Sequence, residues 1–207
     1  MLGNLIVTGE KDEQQLFCRF CSMNKNSLIP SLIPNKLDPY IKDLVIKFAY
    51  ENEESFTWNF SNTVLKTRRF CNLNKIQSNL SNTIENYSKE LFNQLNMINT
   101  LTEPLFGNFV GVHLAGGSVH SHTDFAINNY NHIRLNFLVS KPYSGGMPIL
   151  SDKEYFVDED FGWINVANKW KHASTVVSGT KPRIILSLGK YVIKQESDHF
   201  GLLLEPN

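Results

Sequence analysis

Cysteine is scarce in this chain of 207 residues. The three cysteines, Cys18, Cys21 and Cys71, are too few and odd in number for a disulfide-stabilised scaffold. Cys18 and Cys21 form a C-x-x-C pair, but no second pair with zinc-ligand spacing follows, so we expect thiols without a structural metal. The N-terminal residues lack the basic and apolar regions of a signal peptide, which favours a cytoplasmic protein.

Charge of one sign and long apolar runs are also missing. Twenty Lys and Arg residues balance twenty Asp and Glu residues, and only five of the basic residues are arginines. Because a nucleic-acid backbone requires clustered positive charge, we expect no nucleic-acid partner, and base repair is disfavoured. No run of eighteen apolar residues exists, so we expect no membrane-spanning helix. A hydrophobic content of 42% nevertheless predicts a packed core.

Helical patterns are confined to the first half of the chain. Asp38, followed by proline, is typical of a helix start, and apolar spacings of three and four predict a helix over about 38–52. A second helix is predicted over about 82–97, because Asn82 and Glu85 match a capping box before another apolar stripe. These helices are expected to pack outside a β core.

The second half of the sequence has the pattern of an antiparallel β protein. Short runs rich in β-branched and aromatic residues alternate with glycine-containing turns, as in sandwiches and barrels; the clearest are 109–114, 132–139 and 183–188. We expect one domain over 1–207, mainly β with flanking helices. Within it we predict a mixed, helix-rich support region (1–104), a catalytic core (105–195) and a tail (196–207).

Histidines and one acid in the β half form a candidate metal site. His122-Thr-Asp124 is an H-x-D motif, and residues two apart on a strand point to the same face. His172 is the best placed third ligand, and two imidazoles with one carboxylate are the ligand set of non-heme Fe(II) sites that activate oxygen. His120 is also on that face and competes with His122 as a ligand.

Two of the few arginines, Arg134 and Arg183, lie in predicted strands. An arginine that points into a barrel needs an anionic partner, because a buried guanidinium without one is costly. A dicarboxylate would supply that partner through paired hydrogen bonds to the planar fork. The alternative is an edge-strand arginine in solvent.

The order H-x-D, distant His172 and then Arg183 resembles the signature of the Fe(II)/2-oxoglutarate-dependent oxygenase superfamily. The prolyl hydroxylase pattern Y-x-x-G-x-x-Y-x-x-H-x-D is matched at Gly116, His122 and Asp124. His113 and Val119 stand where that pattern has tyrosines. The stretches at 132–134, 162–165 and 171–173 are similar to bacterial free-proline hydroxylases and aspartyl/asparaginyl β-hydroxylases.

The resemblance implies a double-stranded β-helix, a cupin-like jelly roll, with His122, Asp124 and His172 as catalytic ligands of Fe(II). It also implies that 2-oxoglutarate is a cosubstrate alongside O2 and that its distal carboxylate pairs with Arg183. Ser187, on the same strand face, would assist Arg183. His113 would either hydrogen-bond the cosubstrate or belong to the core.

The function predicted from the sequence is hydroxylation of an amino acid, peptide or protein side chain, with decarboxylation of 2-oxoglutarate to succinate. Arg134 would either help to hold 2-oxoglutarate or bind a substrate carboxylate. The alternative from a different class is a jelly-roll sensor that binds a metal and a dicarboxylate without turnover. Neither the substrate nor the oligomeric state follows from the sequence.

Overall fold

The structure, a computed structural model, describes residues 33, 35–58, 66–125 and 127–202. Cys18 and Cys21 lie outside the described residues, whereas Cys71 is a buried free thiol. Burial raises the pKa of Cys71 to about 11, so the thiol stays protonated at neutral pH. No helix in these ranges is long and apolar enough to cross a membrane.

Helix α1 (Pro39–Glu51) begins where the sequence predicts. The Asp38 carboxylate accepts hydrogen bonds from the backbone N–H groups of Tyr40 (2.7 Å) and Ile41 (3.3 Å), which satisfies two of the free donors in the first turn. One face of the helix is buried, as the apolar spacing predicts, through Ile41, Val45, Phe48 and Ala49.

Helix α2 (Asn79–Gln94) starts earlier than predicted, and the capping box proposed at Asn82 is wrong. The N-cap is Ser78, whose hydroxyl accepts the backbone N–H of Ser81 at 3.0 Å. The start moves because Leu80 is buried and belongs to the helical stripe. Glu85 therefore lies inside the helix, where its carboxylate binds the Lys190 ammonium at 3.0 Å.

A seven-stranded antiparallel sheet forms the main layer. Its strands are β1 (Thr57–Trp58), β2 (Arg68–Asn72), β3 (Thr100–Thr102), β4 (Asn108–His113), β5 (Tyr130–Ser140), β8 (Gly162–Val166) and β10 (Arg183–Ile193). They are ordered β1-β2-β4-β10-β5-β8, and β3 pairs with the C-terminal part of β10. Strands β1, β2 and β3 come from the region expected to be helix-rich, so that region also builds the sheet.

A second sheet of three strands is ordered β7-β6-β9. Its strands are β6 (Pro148–Leu150), β7 (Lys153–Glu154) and β9 (His172–Ser174). Leu150 of this sheet and Leu138, Trp163 and Ile185 of the main sheet share one buried apolar cluster, which holds the two layers together. Helix α3 (Lys194–Leu202) follows β10 directly.

The expected mainly antiparallel β architecture with flanking helices is confirmed. The helices pack on the main sheet through a large apolar core, in which Val45 and Ile84 from the helices meet Leu135 and Leu186 from the strands. That packing occupies the outer face of the main sheet. The inner face is therefore available to polar side chains, which gather towards the small sheet.

Candidate active site

A cavity of about 710 Å³ lies between the two sheets. The inner face of the main sheet lines it with the alternate residues of several strands, including Arg68, Phe70, Phe109, Gly111, His113, Arg134, Asn136, Asn165, Arg183 and Tyr191. The small sheet contributes His172, and the segment before β5 contributes His122 and Asp124. The predicted metal ligands and the predicted cosubstrate arginine thus line one cavity.

His122, Asp124 and His172 form a compact group of donors. Their ligand atoms all lie within 4.8 Å of one another. Oδ1 of Asp124 lies 3.4 Å from Nε2 of His122 and 3.8 Å from Nε2 of His172. His120 is not part of this group, although its exposed side chain also lines the cavity.

Backbone pairing holds the two imidazoles side by side. His122 and His172 form an isolated antiparallel bridge, with N–H to carbonyl distances of 3.2 and 2.8 Å. Their ring centroids are 4.3 Å apart. The H-x-D spacing predicts that His122 and Asp124 lie on a strand. The structure differs, because this segment is joined to β9 by a single bridge and does not form a full strand.

The tautomer of each imidazole follows from its hydrogen bond. Nδ1 of His122 lies 2.7 Å from the carbonyl oxygen of His120, and Nδ1 of His172 lies 3.2 Å from that of Trp170. A carbonyl oxygen only accepts, so each Nδ1 carries a proton, and in the neutral form of each ring Nε2 presents a lone pair. Both lone pairs face Asp124, and two imidazole nitrogens with one carboxylate oxygen fit a divalent iron ion.

The second oxygen of Asp124 is held by the protein. Oδ2 accepts a hydrogen bond from Nε of Arg134 at 3.1 Å and lies 3.2 Å from Nδ1 of His132. Arg134 is in turn held by Glu103, which lies 3.1 Å from its Nη2 and accepts three backbone N–H groups. This chain of contacts aims Oδ1 of Asp124 at the two histidines.

The charges around Asp124 keep it ionised. Burial opposes ionisation, but the hydrogen bond that the protonated form of His122 donates and the Arg134 charge outweigh it, and the pKa of Asp124 lies well below its usual range. Burial and then the Arg134 charge lower the pKa of His132 to about 4, so this ring is neutral at pH 7. Glu103 also has a lowered pKa, because the backbone donors and Arg134 outweigh its burial.

Arg183 lies at the other end of the cavity and is 2% exposed. Its Nη1 donates to Nδ1 of His113 at 3.3 Å, and its Nε has no hydrogen-bond partner among the described residues. Burial, followed by the charge of Arg68, lowers the pKa of Arg183 to about 9. In the described ranges no carboxylate forms an ion pair with Arg68 or Arg183.

Ser187 and Arg134 are near neighbours on the inner face. The hydroxyl of Ser187 lies 3.4 Å from Nη1 of Arg134, so the structure brings Ser187 to Arg134. Arg183 lies four residues before Ser187 in β10 and on the same face of the strand, as the strand spacing predicts.

Sequence reasoning missed Arg68, Glu103 and the contact of His132 with Asp124. Arg68 is one of five arginines, and the residues that follow it, Arg69-Phe70-Cys71-Asn72, do not alternate between apolar and polar, so they give only a weak strand signal. Glu103 lies in a connecting segment beside Pro104 and has no such signal. Only the fold brings it to Arg134, across 31 positions of the chain.

Solved structures with the same fold were found, although no protein-family model and no curated sequence matches the chain. A prolyl hydroxylase from Trichoplax adhaerens, solved with a peptide fragment of the hypoxia inducible factor oxygen degradation domain, has a TM-score of 0.58 and 14% identity over 93% of this chain and 97% of that chain. A Pseudomonas putida prolyl-4-hydroxylase has a TM-score of 0.53 and 10% identity, with coverages of 74% and 85%.

A viral collagen prolyl hydroxylase from Paramecium Bursaria Chlorella virus-1, solved as a 2OG complex, has a TM-score of 0.50 and 13% identity over 76% of this chain and 91% of that chain. The chain therefore has the fold of these prolyl hydroxylases, in line with the fold that the sequence resemblance implies. At these identities the likeness establishes the fold, and the chemistry depends on the site itself.

Proposed function

We propose that this protein is an Fe(II)- and 2-oxoglutarate-dependent dioxygenase that hydroxylates an amino acid, a peptide or a protein side chain. The observation that carries the proposal is that a three-donor metal group and a buried arginine without an anion line the same cavity. The peptide bound to the Trichoplax neighbour supports this class of substrate. The proposal includes a double-stranded β-helix and a single domain over 1–207.

His122, Asp124 and His172 would hold the ion through Nε2, Oδ1 and Nε2. The metal, when bound, supplies activation of dioxygen: one oxygen atom enters the substrate as a hydroxyl group, and the other enters succinate as 2-oxoglutarate loses carbon dioxide. Arg134, with Ser187 beside it, positions Asp124, because its Nε and Nη2 are engaged by the two carboxylates. This assignment differs from both roles expected for Arg134, which were to help to hold 2-oxoglutarate or to bind a substrate carboxylate.

Arg183 would bind the distal carboxylate of 2-oxoglutarate through two charge-assisted hydrogen bonds. Burial and then the Arg183 charge keep the pKa of His113 well below its usual range, so the ring is neutral. Its Nδ1 accepts from Arg183, so its proton is on Nε2. His113 thereby offers a donor where the prolyl hydroxylase pattern has a tyrosine hydroxyl.

The test is succinate formation from 2-oxoglutarate with Fe(II), together with a screen of amino acids and peptides for a mass gain of one oxygen. We expect succinate from the unaltered protein and none from Asp124→Ala, because loss of a direct ligand should weaken metal binding by more than about 100-fold. Asp43→Ala, which removes an exposed carboxylate on α1, is the matched control and should keep activity. Binding of metal and 2-oxoglutarate without succinate would instead identify a sensor.

A further inference from the structure

We propose that the cavity contains a separate substrate subsite, formed by Arg68 and the aromatic cluster of Phe70, Phe106 and Phe109. We infer that it binds a carboxylate carried next to an aromatic ring, as in a free or N-acylated aromatic amino acid or the C-terminal residue of a peptide. This inference rests on the proposed function and names the substrate class of the same cavity.

The strand register separates Arg68 from the Arg183 site. Arg68, His113 and Arg183 are paired across β2, β4 and β10 and form a row on the inner face. Neighbouring strands are about 4.8 Å apart, so the Cα atoms of the two arginines are roughly 10 Å apart. His113 occupies the position between them and is engaged by Arg183. Each of the two arginines has its own planar fork, so a carboxylate bound by Arg183 leaves the fork of Arg68 available for a second carboxylate.

The charge balance supports a second anion. Among the described residues, the acids that line the cavity are Asp124 and Glu103, and both are paired with Arg134. Burial lowers the pKa of Arg68, and no described carboxylate offsets that burial. A desolvated guanidinium binds a carboxylate strongly, because both groups have already lost much of their water.

An aromatic wall adjoins Arg68. Phe70 is two residues further along β2, on the same face, and its ring meets Phe106 edge-on at 5.6 Å and Phe109 at 6.4 Å. Phe106 keeps 42% of its surface exposed, so the cluster is open to a ligand. Gly111, which pairs with Phe70, leaves the surface between Phe109 and His113 without a side chain.

The same cluster lies beside the candidate metal site. The guanidinium of Arg134 lies 5.2 Å from the ring centroid of Phe109, and its Nε binds Asp124. A ligand whose carboxylate binds Arg68 and whose ring packs on Phe70 and Phe109 is therefore directed along the sheet towards the metal ligands. Edge-to-face contacts favour an aromatic ring over a small aliphatic group at this position.

The experiment compares the binding of three probes to the full chain, loaded with Mn(II) and saturating 2-oxoglutarate without oxygen. The probes are N-acetyl-L-phenylalanine, its carboxamide and N-acetyl-L-alanine, and binding is measured by calorimetry. We expect the acid to bind at least about tenfold more tightly than the carboxamide, because only the acid forms charge-assisted bonds with Arg68. The alanine derivative should bind more weakly than the phenylalanine derivative.

Substitutions show which residues cause these differences in probe affinity. Arg68→Gln should abolish the preference for the acid, and Arg68→Lys should restore part of it. Phe109→Leu should reduce the preference for phenylalanine over alanine. Lys47→Gln, which removes a surface cation on α1, is the matched control and should bind like the unaltered protein.

Equal binding of acid and carboxamide to the unaltered protein, or no binding of the acid, would overturn the subsite. This comparison uses only the unaltered protein, so it does not depend on whether a variant folds. An unchanged acid preference in a folded Arg68→Gln protein would also overturn it. If Arg68→Gln loses 2-oxoglutarate binding as strongly as Arg183→Ala, Arg68 belongs to the cosubstrate clamp and the subsite is wrong. Failure of the proposed function is separate, since it appears as absent succinate formation while the probes still distinguish Arg68.

Discussion

The two ends of the cavity differ in how their charges are compensated. At the metal end, Asp124 and Glu103 share the guanidinium of Arg134, and every charge has a partner supplied by the chain. At the other end, Arg68 and Arg183 have no carboxylate partner in the described part of the chain. The carboxylates at the metal end are therefore neutralised by the protein itself, whereas the arginines at the other end have the charge that the proposed anions would neutralise.

The difference follows from the cost of burying charge. Arg134 and Glu103 have side chains that are 6% and 2% exposed, and their attraction offsets the loss of water around both. Arg183 is similarly buried, but the loss of water around its charge is offset only by a hydrogen bond to a neutral imidazole. This uncompensated burial is the reason why we assign Arg183 to the binding of an anion.

The largest expected effect is the loss of stability when the ion pairs at the metal end are removed. Arg134→Met leaves Asp124 and Glu103 buried without their cation, and we expect a loss of about 3–5 kcal/mol in the free energy of unfolding. Arg183→Met makes the same substitution at the other end and should leave the stability of the ligand-free protein unchanged or raised. Chemical denaturation of the metal-free proteins at pH 7 measures both, and equal losses would contradict the comparison.

The pH dependence of the Arg134→Met effect has a defined sign. The pKa of Glu103 is lowered from 4.5 in the folded protein, so its ionised form stabilises the fold above that value, and the contribution is lost as the pH falls below it. The stability difference between the unaltered protein and Arg134→Met should therefore shrink below about pH 4.

The next effect concerns cosubstrate binding at the arginine end. Arg183→Ala should raise the 2-oxoglutarate concentration for half-maximal succinate formation by roughly 30-fold or more, because a desolvated charged partner is lost. Arg183→Lys should recover only part of this loss, since a point charge cannot reproduce the planar fork. Mn(II) affinity should be the same in all three proteins. An unchanged half-saturation value in Arg183→Ala would remove Arg183 from the cosubstrate site.

The smallest expected loss of stability comes from a cluster of ion pairs at the surface. Comparing this cluster with the buried pairs of Arg134 shows how much burial contributes. Glu159 binds Lys42 at 2.9 Å and Lys181 at 2.8 Å. Partial burial raises the pKa of Glu159, but the hydrogen bond from the Lys141 backbone N–H and the two lysine contacts outweigh burial and lower the pKa to about 2. Glu159→Gln should lower stability at pH 7 by about 1 kcal/mol or less, because water screens the pairs.

Glu159 contributes stability above its unfolded pKa, so this difference should be lost as the pH falls from 4.5 towards 2. Thermal unfolding of both proteins across that range measures it. A loss as large as that of Arg134→Met would show that burial does not distinguish the two clusters.

Local pattern determined much of the architecture. Asp38 and the following proline predicted the start of α1. Runs of β-branched residues predicted β4 and β5 closely and the start of β10, which continues beyond the predicted run 183–188 to Ile193. The start of α2 was missed because Ser78 and Asn82 are both good N-caps, and only the burial of Leu80 decides between them. Residue types alone also indicated His122, Asp124 and His172, because this combination of donors has few other uses.

The residue pattern thus predicts the three longest strands, one helix start and the chemical groups of the candidate site. The pairing of those groups depends on the folded arrangement of the strands. Arg134 and Arg183 are alike in the sequence, but strand register places one against Asp124 and Glu103 and the other against His113. Register between these strands depends on which residues pack together on the buried face, and the residues flanking each arginine do not reveal those partners.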